Sequence, residues 1–218
     1  MKNNSNALIS KLFATASTYI ENATAQPEIL KKLGLQGFGQ KRLQEGSALK
    51  NYAMMMHSQK TERYGEKQTL AAQLKENEQQ ARETFMEHVG IVKFAFRKDP
   101  LTLSQFNVEK VSKRINEWPM QASYFYDKIS AFVAPLTPYG LTAEALAQGQ
   151  AMVEAVASIR NQRMLRKGEA EEATRLRDQS IKDLKAWMSE FRIMAKLALK
   201  DSPQLLESLG IVMKTQKV

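Results

Sequence analysis

A metal centre, an activated nucleophile, a phosphate loop and an anion cradle each need particular side chains at particular spacings. The two histidines, His57 and His88, are the first place to look. Helical bundles hold transition metals with carboxylates and Glu-x-x-His pairs, and the chain contains no Glu-x-x-His. His88 falls on an apolar stripe, where a histidine satisfied by a polar neighbour is expected. With no cysteine there is no thiolate ligand, no disulfide and no cysteine nucleophile. A Gly-x-Ser-x-Gly elbow is also missing. The glycine-rich stretch at 34–39, GLQGFG, lacks the Lys and Ser/Thr of a phosphate loop and reads as a helix-breaking corner. These residues imply no metal and no cofactor, and they point away from catalysis.

Two constellations suit binding instead. Arg160, Arg163, Arg166 and Lys167 recur at helical spacing and form the densest basic stripe, a candidate anion-binding or nucleic-acid patch. Glu169, Glu171 and Glu172 follow closely and oppose it, and no aromatic residue is interleaved for base stacking. The second constellation is aromatic: Trp118, Tyr124, Phe125, Tyr126, Phe132 and Tyr139 crowd into a short segment. Trp118, Phe125 and Phe132 share one inward stripe. Tyr124 and Tyr126 fall off it, and with Lys128 they are the expected exposed, partner-binding surface.

The elements that would position these groups are helical throughout. Leu8, Leu12 and Tyr19 fall at helical spacing in an entry helix, widened by Ile9, Phe13, Ala16 and Ile20. A long helix is expected from about 40 to 63, with Leu43, Gly46 or Ala48, Leu49, Tyr52, Met55 or Met56 and Gln59 on its buried edge. Tyr64-Gly65 should then turn the chain, because an unbroken helix to residue 98 would be ~90 Å long; the alternative is a single kinked rod. The return arm carries Leu70, Leu74, Ala81, Phe85, His88, Val92 and Phe96, and Asp99-Pro100 stops it.

The chain then repeats itself. At an offset of 103 residues Gly65-Glu66 falls on Gly168-Glu169, Gly46 on Gly149, Pro100 on Pro203, and Arg63 on Arg166. The predicted fold class is therefore all-α, a tandem duplication of one helical unit. Each unit would hold an entry helix, a long hairpin and a short closing helix, the two hairpins packing as a four-helix core. The units are placed at 1–114 and 115–218, with one compact domain as the alternative. Gly46 and Gly149 each follow a core leucine by one turn inside a periodic helix, which predicts close approach of another helix backbone. Ser202 and Gly210 are read as the N-cap and the left-handed C′ residue of the last helix.

The net charge of +9 is spread along the chain with acids interleaved, the pattern of solvated helix faces rather than of a basic arm. No apolar run approaches the ~18 residues of a membrane span. The expectation is a cytoplasmic, non-enzymatic helical interaction or scaffold module that binds another protein or itself. The alternative is a nucleic-acid or anionic-ligand binder using the stripe at 160–167.

Overall fold

The computed structural model describes residues 2–114 and 117–212. Its elements are α1 (Lys2–Ala25), α2 (Pro27–Leu35), α3 (Gln40–Ala95), α4 (Pro100–Ser104), α5 (Trp118–Ile129), α6 (Ala143–Ala198) and α7 (Pro203–Ser208). Short 3-10 turns at Ser130–Phe132 and Thr137–Tyr139 connect α5 to α6. The fold is all-helical, and no strand occurs among the described residues. No helix there is long and apolar enough to cross a membrane. The expected boundary between 114 and 115 abuts Ile115 and Asn116, which lie outside the described residues.

Proline and glycine punctuate the helices as local chemistry requires. Pro27, Pro100, Pro119 and Pro203 each sit in a first helical turn, where the missing N–H costs nothing. Asp99 caps α4, its Oδ1 accepting from the Thr102 N–H at 3.0 Å. Gly37 (φ 76°) and Gly140 (φ 81°), 103 residues apart, hold the left-handed turns that lead into α3 and α6. Gly210 (φ 73°) ends α7 in the same way, as expected. Ser202 stands at the N-cap position of α7 as expected, but its side chain bonds no helix N–H; its Oγ accepts from Lys32 Nζ at 2.8 Å.

The hairpins are the main correction. α3 runs unbroken through Gly65 and α6 through Gly168, each over 56 residues. Glycine inside a helix is unfavourable by only ~1 kcal/mol, removes no N–H donor and so does not end one unaided. The apolar stripes that seemed to need a partner arm are covered in another way, since α3 and α6 pack against each other.

Two compact units result, each drawn from both sequential halves. One comprises Met1–Arg63 and Ala170–Val218. Its core joins Ala16, Tyr19, Ile20 and Ala23 of α1 to Ile29, Leu33 and Phe38. Leu43 and Ala53 of α3, Leu184, Trp187 and Phe191 of α6, and Leu206, Leu209 and Ile211 complete it. Here the buried edge of α3 runs Leu43, Gly46, Ala53 and Met56, while Tyr52 is 44% exposed and Gln59 faces solvent. Leu43, Gly46 and Met56 are buried as expected and Leu49 packs partly buried against the core, so the correction concerns Tyr52 and Gln59.

The other unit is Tyr64–Glu169. Leu74, Ala81, Phe85, Val89, Val92 and Phe96 of α3 meet Trp118, Ala122, Phe125, Tyr126 and Ile129 of α5. Leu146, Val153 and Val156 of α6 close the layer, with Phe106 and Val108 beneath the end of α4. Phe85 lies at the centre, 5.4 Å edge-on from Phe125 and 6.3 Å from Trp118.

Candidate functional site

The site is built on α1, whose buried stripe is Ile9, Ala16, Tyr19, Ile20 and Ala23. Leu8 and Leu12 lie at the edge of that stripe, and α6 comes alongside with Ile181, Met188 and Arg192. A groove of about 450 Å³ is left between the two helices. Leu8 stays 66% exposed within it, and Ile9, Leu12, Ile181 and Met188 make the rest of the apolar lining.

Three cations, Lys11 from α1 and Lys185 and Arg192 from α6, share the groove, and no carboxylate is among its lining residues. Thr15, Ser189 and the Tyr19 ring add polar atoms, although the Thr15 hydroxyl already donates to the Lys11 carbonyl at 2.8 Å. Burial pushes the Tyr19 hydroxyl above its ordinary pKa, with Arg192 pulling the other way. Tyr19 therefore stays neutral and adds no negative charge. The groove offers apolar area and positive charge together, a surface for an amphiphile with an acidic face.

The basic stripe is divided by the structure. Arg160 donates to Glu78 through both Nε and Nη2, and both side chains are well shielded. Arg166 bonds Glu169 at 2.7 Å and lies 3.8 Å from Glu66. Arg160, Arg163 and Lys167 line a second groove, in the Tyr64–Glu169 unit; Arg166 is not part of its lining.

The aromatic surface is also divided. Tyr126 is 1% exposed, not exposed as expected, and its hydroxyl lies 3.0 Å from His88 Nδ1. It sits four residues after Ala122, inside an apolar face wider than the Trp118–Phe125–Phe132 row. Tyr124 does face solvent, with Lys128 Nζ 5.6 Å from its ring centre.

His88 is buried as expected, at 7% exposure. Desolvation holds its pKa below the ordinary histidine value, Glu87 opposing. His57 belongs to the other unit, where burial and then Arg177 and Lys60 lower its pKa. No cluster of His, Asp and Glu able to hold a metal occurs among the described residues.

Sequence reasoning missed the α1/α6 groove. Leu8, Leu12 and Tyr19 were visible as a row, but nothing local signals that α6 would leave Leu8 open beside three cations.

Comparison with known proteins brings no relative to this site. No family model, curated protein or solved structure matches the chain.

Proposed function

We propose that the protein is a non-enzymatic helical interaction module whose α1/α6 groove takes an acidic amphipathic helix from a protein partner. The observation that carries this is the pairing, in one groove, of an apolar lining with Lys11, Lys185 and Arg192 and no carboxylate. A partner helix would lay its i, i+3, i+4 side chains over Leu8, Leu12, Ile181 and Met188, the usual helix-in-groove arrangement. Each large side chain fully covered contributes about 1.5–3 kcal/mol. Flanking glutamates or aspartates would meet the three cations, which govern orientation and on-rate more than affinity.

On this reading the module is two copies of one helical unit that have exchanged halves. Supporting it, Gln40–Ala95 and Ala143–Ala198 begin and end at the same 103-residue offset, as do the left-handed turns at Gly37 and Gly140.

The test is fluorescence anisotropy with a synthetic helix of leucine and glutamate in amphipathic order, against a scrambled peptide of identical composition. The expected result is saturable binding of the ordered peptide alone. It should weaken at least about tenfold in the K11E/K185E/R192E variant, the scale of a few lost charge contacts. Equal binding of the scrambled peptide, or an unaffected triple variant, would refute the proposal. So would preferential binding of oleate or of anionic vesicles, or concentration-dependent self-association that the triple variant abolishes.

A further inference from the structure

The second groove lies between α3 and α6, wholly within the Tyr64–Glu169 unit, and has a volume of about 540 Å³. One carboxylate lines it, Glu78, and that group is already matched by the two-pronged hydrogen bonding of Arg160. The pair is electrically neutral and largely shielded. Lys67 of α3 and Arg163 of α6 bring two further cations to the same concavity, with the Asn161 amide beside them. Leu74 and Met164 supply its apolar part.

Cations from two facing helices, around a carboxylate that is already neutralised, suit a ligand carrying two or more adjacent anionic groups. Ammonium groups act as point charges, and the Arg163 guanidinium offers a planar fork matched to phosphate oxygens. The volume falls in the ~300–1,000 Å³ range of small-molecule sites. No aromatic ring is among the lining residues, so the bases of a single strand would find nothing to stack on.

We infer that this groove binds a small molecule bearing a diphosphate, its phosphates held by Lys67 and Arg163. The inference is independent of the α1/α6 groove, which lies in the other unit and shares none of these residues.

Calorimetric titration of the full chain with inorganic pyrophosphate, orthophosphate and a short DNA duplex tests it. Pyrophosphate should bind saturably at one site, at least about tenfold tighter than orthophosphate, because each added charged hydrogen bond is worth ~1.5 kcal/mol or more. K67Q/R163Q should lose at least about tenfold in pyrophosphate affinity. K11Q/R192Q and R166Q should bind like the parent protein. Circular dichroism and thermal melting check that the variants are folded; Arg163 is exposed and Lys67 partly so, and neither belongs to the core. Absence of saturable pyrophosphate binding overturns the inference. So does an undiminished K67Q/R163Q, or duplex DNA binding more tightly than pyrophosphate with steep salt dependence.

Discussion

Gly46→Ala adds one methyl group to a helix and should destabilise the protein. Glycine to alanine inside a helix ordinarily stabilises, by up to ~1 kcal/mol of helix propensity, part of it lost freedom in the unfolded chain. A Cβ at residue 46, however, would lie closer than 3.0 Å to three ring atoms of Trp187, Cζ2, Cε2 and Cη2. The indole has little room to retreat. It is 3% exposed, stacks on Phe191 at 5.4 Å, leans on Phe38 at 5.8 Å, and donates its Nε1–H to the Arg42 carbonyl at 3.0 Å. Overpacking of a core costs about 1–3 kcal/mol, and disturbing the indole hydrogen bond adds about 0.5–1.5 kcal/mol. After the propensity gain is subtracted, the net loss is about 0.5–3.5 kcal/mol. At an m-value of about 2 kcal/mol/M the urea midpoint should fall by about 0.3–1.8 M with little change in slope. The two tryptophans lie in different units, Trp187 in one and Trp118 in the other, so a Trp118→Phe background makes fluorescence report the Trp187 core alone. The decisive readout is coupling: Gly46→Ala should cost much less in a Trp187→Leu background, where the ring is gone. A raised midpoint, or an equal cost in both backgrounds, would refute the close-contact argument.

Gly149→Ala should likewise lower the midpoint, because its added Cβ would run into the Tyr126 hydroxyl and ring. Tyr126→Phe should recover part of the loss, since Oη is the nearest atom. Gly65→Ala and Gly168→Ala should do the opposite and stabilise by about 0.4–1 kcal/mol, as both lie mid-helix with nothing within 4 Å of an added Cβ. A lowered midpoint at either would argue for a turn there. Stability should also fall on acidification. Both histidines have folded-state pKa values below the ordinary 6.5, so their contribution is complete above that pH and is lost as pH falls through the folded values. Urea midpoints measured from neutral to mildly acidic pH check this, and His88→Gln should flatten the dependence for the core that contains Tyr126.

Periodicity exposed more of the core than of its pairing. The row from Leu74 through Ala81, Phe85, His88 and Val92 to Phe96 is read correctly because each residue is buried by the same face of one helix, while Leu70 at its start is only half-buried. The tight spots at Gly46 and Gly149 are legible too, since a glycine in a strongly periodic helix needs a steric reason. What approaches them is not: aromatic side chains fill the space where a helix backbone was expected. Gly65 and Gly168 misled in the opposite sense, a propensity penalty of ~1 kcal/mol being too small to bend a helix held by packing. Tyr126 was misplaced because a stripe drawn from one residue per turn is narrower than the face a core covers. The α1/α6 groove depends on which edge of α1 its neighbours leave open, and no local pattern encodes that.

The order in which the units complete themselves follows from their discontinuity. Tyr64–Glu169 is a single stretch of chain, whereas the other unit needs both Met1–Arg63 and Ala170–Val218. During synthesis from the N-terminus, the inserted unit has all its residues first. Meanwhile α1, α2 and the start of α3 wait with Tyr19, Leu33 and Phe38 uncovered, because Trp187, Phe191 and Leu206 have yet to be made. Contacts that span most of the chain are slow to form and leave apolar surface open to aggregation in the interval. A nascent chain stalled near residue 170 would therefore carry one finished core and one sticky half-core. The earliest residues made would be the last to find shelter.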